Sequence, residues 1–150
     1  MSGGIFSHSK NKKDKMKHFT IDEFTRSATA RALHIDNTPP TRALVALELL
    51  AARVLDPLRE WWGRPLRITS GYRSEALNRA VGGVASSQHL RGEAADLTAG
   101  SRADNARLFR YVAEELPFDQ LIAEQTDACG PAWLHVSYRA GRLRRQVMER

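Results

Sequence analysis

Between Thr41 and about Trp62 the apolar residues Leu44, Val45, Leu47, Leu49, Leu50, Val54, Leu55 and Leu58 return at helical spacing. The run predicts one long core helix against which the rest of the chain packs. Pro57 is its expected kink, because proline has no N–H to donate and its ring crowds the carbonyl four residues back. Trp61 and Trp62 at its end are read either as packing or as the lining of a groove. Upstream, "TIDEF" places Thr20 as an N-cap with Glu23 three residues on, a capping box opening a short helix through about Ala32. "HIDNTPP" stops that helix, and His34 within it reads as a turn histidine rather than a ligand.

The second half changes period. "LRITSGYRS" reads as a strand, Leu66 to Thr69, breaking into a glycine turn, after which Ser74 caps a short helix, "EALNRAV". "GGVASS" is a loop, "AADLTA" a strand, and "SRADNARLFRYVAEEL" a helix with Leu108, Val112 and Leu116 on one face. "FDQLIAEQ" and "AWLHVSY" alternate as adjacent antiparallel strands joined around "TDACGP", and "GRLRRQVM" offers a last strand. Helices first and strands later predict an α+β fold, with N-terminal helices packed on a small, mainly antiparallel sheet.

At 150 residues the chain suits one domain. Its single cysteine, Cys129, cannot form an internal bridge, so the fold does not depend on oxidation. The amino terminus is too polar for a secretory signal and no apolar run spans a bilayer, so a soluble chain is expected. The formal charge of +6 is concentrated partly in Lys10, Lys12, Lys13, Lys15 and Lys17 and partly in Arg142, Arg144, Arg145 and Arg150. Both groups read as solvated tails drawn to polyanions in general, and no nucleic-acid motif or stacking aromatic array accompanies them. Residues 1–18 read as a disordered basic arm holding His8 and His18, and residues 19–150 as the folded domain.

The stretch "SSQHLRGEAADL" sets His89 and Asp96 on either side of Gly92. Catalytic zinc sites take about three ligands from His, Asp and Glu and keep a position open. His89 and Asp96 supply two, and His135 in "AWLHVSY" is the candidate third, the other histidines lying outside expected ordered elements beside glycine-rich turns.

"SQHLRGEAAD" fits the signature S-x-H-x-x-G-x-A-x-D of the zinc D-Ala-D-Ala carboxypeptidases, and "WLHVS" resembles the segment bearing their second histidine. "FTIDEFTRSATARALHIDNTPP", "VLDPLREWWGRPLRITSGYRS" and "FDQLIAEQ" are also similar to that family's domain in bacterial and phage proteins, over roughly Phe19 to Val147. The resemblance implies one zinc ion held by His89, Asp96 and His135. It implies that Ser87 buttresses the loop or contacts substrate, and that Arg73 in "SGYRS" meets either the substrate carboxylate or the oxyanion formed during attack. A salt bridge fastening the turn is the structural alternative for Arg73.

Several relatives carry a Glu or Asp three residues before the second zinc histidine, where this chain has Ala132. Glu124 is the expected replacement as general base, because a hairpin about Ala128 to Gly130 sets it nearly opposite His135, on the same face. Asp127 is second, with Glu93 and Asp119 weaker on parity or distance. The implied activity is zinc-dependent hydrolysis of a peptidoglycan stem peptide or cross-link, as carboxypeptidase or endopeptidase, with Glu124 taking the water proton and returning it to the leaving amine. A monomer acting at the cell wall is expected, whether phage lysis enzyme, tail-associated part or bacterial protein. The competing readings are an inactive zinc-containing wall-binding or phage structural module, for which Ala132 speaks, and a basic nucleic-acid-binding protein.

Overall fold

The computed structural model describes residues 16–150. The arm read over residues 1–18, with His8 and four of its lysines, lies outside the described residues up to residue 15. At its end the reading changes: the backbone N–H groups of Lys17 and His18 donate to the Asp56 carboxylate at 2.9 and 3.0 Å.

The capping box at Thr20 forms, the Glu23 carboxylate accepting the Thr20 N–H at 2.8 Å. The helix it opens does not reach Ala32 unbroken. Helix α1 spans Ile21–Thr25 and α2 spans Ala28–Ala32, because Ser27 turns extended and recaps the chain, its hydroxyl accepting from the Ala30 N–H. The core helix is realised in three joined parts: α3 (Thr41–Leu50), a π-helical stretch (Ala51–Leu55) and α4 (Asp56–Trp62). The widened stretch directly precedes Pro57, where the ladder must accommodate a missing donor. Its inward stripe of Ala43, Leu47, Leu50, Val54, Leu55 and Leu58 is fully buried, whereas Val45 faces outward. Trp62 packs inside, and Trp61 stacks on Tyr111 with ring centroids 4.0 Å apart, which settles packing over groove lining.

The sheet contains β1 (Arg67–Ser70), β2 (Ala94–Thr98), β3 (Gln120–Glu124), β4 (Trp133–Ser137) and β5 (Gln146–Glu149) in the order β1-β2-β4-β3-β5. All pairings are antiparallel except β3 with β5. Helix α5 (Glu75–Ala80) is capped by Ser74 and α6 (Arg102–Glu115) by Ser101, and α6 packs Leu108 and Val112 into the core. The expected α+β class is the observed one. The core lies between the long helix, α6 and one face of the sheet, where Leu97, Leu121, Leu134 and Val136 point inward. Strand alternation therefore sends Asp96, Ile122, Glu124, Trp133 and His135 to the other face.

Candidate metal centre

Asp96 on β2 and His135 on β4 are direct cross-strand partners. Opposed residues of an antiparallel pair share a face, so the ladder alone brings the carboxylate to the imidazole. His89 arrives from a different element, a 3-10 turn at Gln88–Arg91 that Ser87 caps by accepting the His89 N–H at 3.2 Å. Gly92 ends this turn at φ +72°, and a Cβ there would collide with the Ala43 carbonyl oxygen of α3. Glycine lets the chain both reverse and press against the core helix, which aims His89 back over β2.

One ligand atom from each of His89, Asp96 and His135 lies within 4.8 Å of the other two. Asp96 Oδ1 is 3.1 Å from His135 Nδ1 and 3.4 Å from His89 Nε2. His89 is buried, and its Nδ1 donates to the Gly71 carbonyl at 2.7 Å, which leaves Nε2 as its lone-pair donor facing the cluster. Burial alone would raise the Asp96 carboxyl, but with both rings protonated the hydrogen bonds from His135 and His89 and the ring charges prevail and hold it far below the usual carboxylate range; an ion bound between them would take the place of the proton on His89 Nε2. Two imidazole nitrogens and one ionised carboxylate, with a ring tautomer fixed from behind, suit zinc.

The cluster opens into a cavity of about 520 Å³, also lined by Arg73, Ser87, Gln120, Ile122, Glu124 and Trp133. Arg73 is half-buried and held on two sides: Nε donates to Ser70 Oγ at 3.2 Å and Nη1 to Asn78 Oδ1 at 3.1 Å. Its Nη2 faces Asp96 Oδ2 at 3.9 Å. Burial pushes the guanidinium below its ordinary pKa, and Asp96 opposes that shift. Gly83 packs over this arrangement, since a Cβ there would strike Asn78 Oδ1.

The expected position of Glu124 needs one correction. Ile122 pairs with His135, and Glu124 pairs with Trp133, one step further along the ladder. The face is as expected, because 133 and 135 alternate together, and the side chain lines the cavity with Arg150 Nη1 at 3.7 Å. The alternatives stand elsewhere. Asp127 is exposed, accepts from the Cys129 N–H and pairs with Arg102 at 3.4 Å. Glu93 is occupied by Gln88, Arg91 and Arg139. Asp119 is fully buried and receives both Nε and Nη2 of Arg144.

Sequence reading missed the supports of this site. Asn78 and Ser70 steer Arg73, and the Gly71 carbonyl orients His89. A polar residue beside Leu77 on a short helix was the available signal for Asn78. The arginines read as a solvated tail are also part of the domain: Arg142, Arg144 and Arg150 line the cavity.

A family model described as Peptidase M15 matches residues 17–137, stopping short of the Val147 end that the sequence resemblance suggested. No curated protein matches the chain.

Proposed function

This chain belongs to the peptidase M15 family, a zinc-dependent family of peptidases, and on that premise we propose that it hydrolyses a stem-peptide or cross-link bond of peptidoglycan. The observation that carries the reading is the His89, Asp96 and His135 cluster at a cavity that Glu124 and Arg73 also line. His89 through Nε2, Asp96 and His135 would hold the ion. Zinc held there supplies Lewis acidity, polarising a carbonyl oxygen and making water acidic enough to lose a proton near neutrality.

The remaining steps belong to the chain. Glu124 accepts the proton of the attacking water and returns it to the leaving amine, for which its carboxylate has the right face of β3. Arg73 donates from Nη2 to the substrate carboxylate or to the oxyanion, and its anchorage by Ser70 and Asn78 means that little reorganisation is needed when charge develops. Ser87 keeps the turn bearing His89 in place. Trp133 and Ile122 offer apolar contact on the cavity floor. The site of action in this proposal is the cell wall.

The test is metal content by mass spectrometry on wild type and His89→Ala, beside digestion of purified peptidoglycan by the same samples. One zinc per wild-type chain, lost in the variant together with product release, is the expected result, and product masses name the bond. Zinc without cleavage would replace the hydrolase by a binding module, the reading that Ala132 leaves standing; absence of metal would overturn both.

A further inference from the structure

Residues 138–150 lie beyond the segment that the family model matches, yet they build one wall of the cavity. Five arginines line it, Arg73, Arg91, Arg142, Arg144 and Arg150, against two carboxylates, Asp96 and Glu124. Four of the five have a carboxylate within 4.0 Å: Arg73 has Asp96, Arg91 has Glu93, Arg144 has Asp119 and Arg150 has Glu124. Arg142 is exposed and has none among the described residues.

This wall is held in place from both sides. The Arg142 N–H donates to Arg139 O at 2.9 Å across a turn at Gly141. Arg144 grips Asp119, and Arg145 turns the other way to donate to Leu116 O and Ala113 O while its guanidinium lies 4.6 Å from the Phe118 ring centroid. Beyond them β5 joins the sheet in parallel with β3. The guanidinium excess is thus a property of the folded cavity.

We propose that Arg142, supported by the outer face of Arg144, forms a subsite for a carboxylate of the peptide substrate distinct from the group that Arg73 serves, so that the cavity prefers an acidic peptide to its amide. The inference rests on the reading of this cavity as a substrate cleft. A guanidinium offers a carboxylate paired, charge-assisted hydrogen bonds, and an uncompensated one beside other cations gains the most from an incoming anion. The surrounding positive potential also favours encounter, an effect that salt screens.

Two synthetic peptides of one sequence ending in D-Ala-D-Ala test it, one with glutamate at the two preceding residues and one with glutamine. Their kcat and KM are measured on the zinc-loaded full chain, and their dissociation constants by calorimetry on the zinc-loaded Glu124→Gln variant, in which turnover is suppressed. Wild type is expected to favour the glutamate peptide by about tenfold in KM and Kd, the worth of one such contact, with the preference shrinking at high salt. Arg142→Gln should erase the preference, raising KM and Kd of the glutamate peptide to those of the glutamine peptide. Arg110→Gln, which removes the same charge from α6 beside a different cavity, should preserve it. Equal affinity of wild type for both peptides, or a preference that survives Arg142→Gln, overturns the subsite. If neither peptide is cut, the peptidase reading fails for these substrates, while the two dissociation constants still decide the subsite.

Discussion

Asp96 and His135 face each other across the β2–β4 ladder, with Oδ1 3.1 Å from Nδ1, so a sheet register rather than a flexible loop sets two of the three candidate donors of the cluster. The third, His89, is held by a carbonyl behind it. Such a site has little freedom to lose when an ion binds, which favours affinity.

Asp96→Asn keeps the size of the side chain and removes the ionised donor. Zinc affinity should fall about a hundredfold or more while the circular dichroism spectrum stays unchanged. Competition with a chromophoric chelator measures the affinity, and retention of wild-type affinity would exclude Asp96 as a ligand.

Glu124→Gln should lower kcat by about 10²–10⁴-fold with zinc content intact, the usual worth of a general base. A loss below threefold would move the base elsewhere. Since Asp127 and Asp119 are committed to Arg102 and Arg144, a water-relayed group would then be sought in the cavity.

Gly92→Ala places a Cβ against the Ala43 carbonyl at a left-handed backbone position. Destabilisation by about 1–3 kcal/mol is expected, together with weaker metal binding because the turn carrying His89 must shift. Urea denaturation with and without zinc reads both effects.

Burial alone would raise the Asp119 carboxyl, but hydrogen bonds from Arg144, and one from Gln88, bring it down to about 2. A carboxyl lowered on folding contributes stability that is fully present above its ordinary value near 4 and is lost as pH falls towards 2. Wild type should therefore exceed Asp119→Asn in urea midpoint at pH 6, with the gap closing between about pH 4 and pH 2. A gap independent of pH would show that the pair contributes through packing alone.

Much of the centre was legible because its information is local. His89, Gly92 and Asp96 lie within one short stretch, where a glycine turn between two donors is visible in the order of residues alone. The helical period of the core, the capping serines and the α+β order were legible for the same reason: caps and periodicities act over a few residues. His135 was legible only by residue type and motif. What the sequence by itself determined, then, was the candidate donor set that the fold brings together, the elements that bear it and the face of β3 on which Glu124 stands.

Tertiary structure alone decided register and company. That Ile122 rather than Glu124 opposes His135 depends on where β3 slides along β4, which the hairpin turn and the burial of Leu121, Ala123, Leu134 and Val136 settle together. Arg73 is steered by near neighbours, Ser70 and Asn78, but that it then faces Asp96, and that the Gly71 carbonyl orients His89, depends on the packing of separate segments. The arginines of residues 142–150 looked like a solvated tail because nothing in their own composition reveals a buried Asp119 waiting for Arg144. Charge is written in the chain, but what it faces is set by long-range packing.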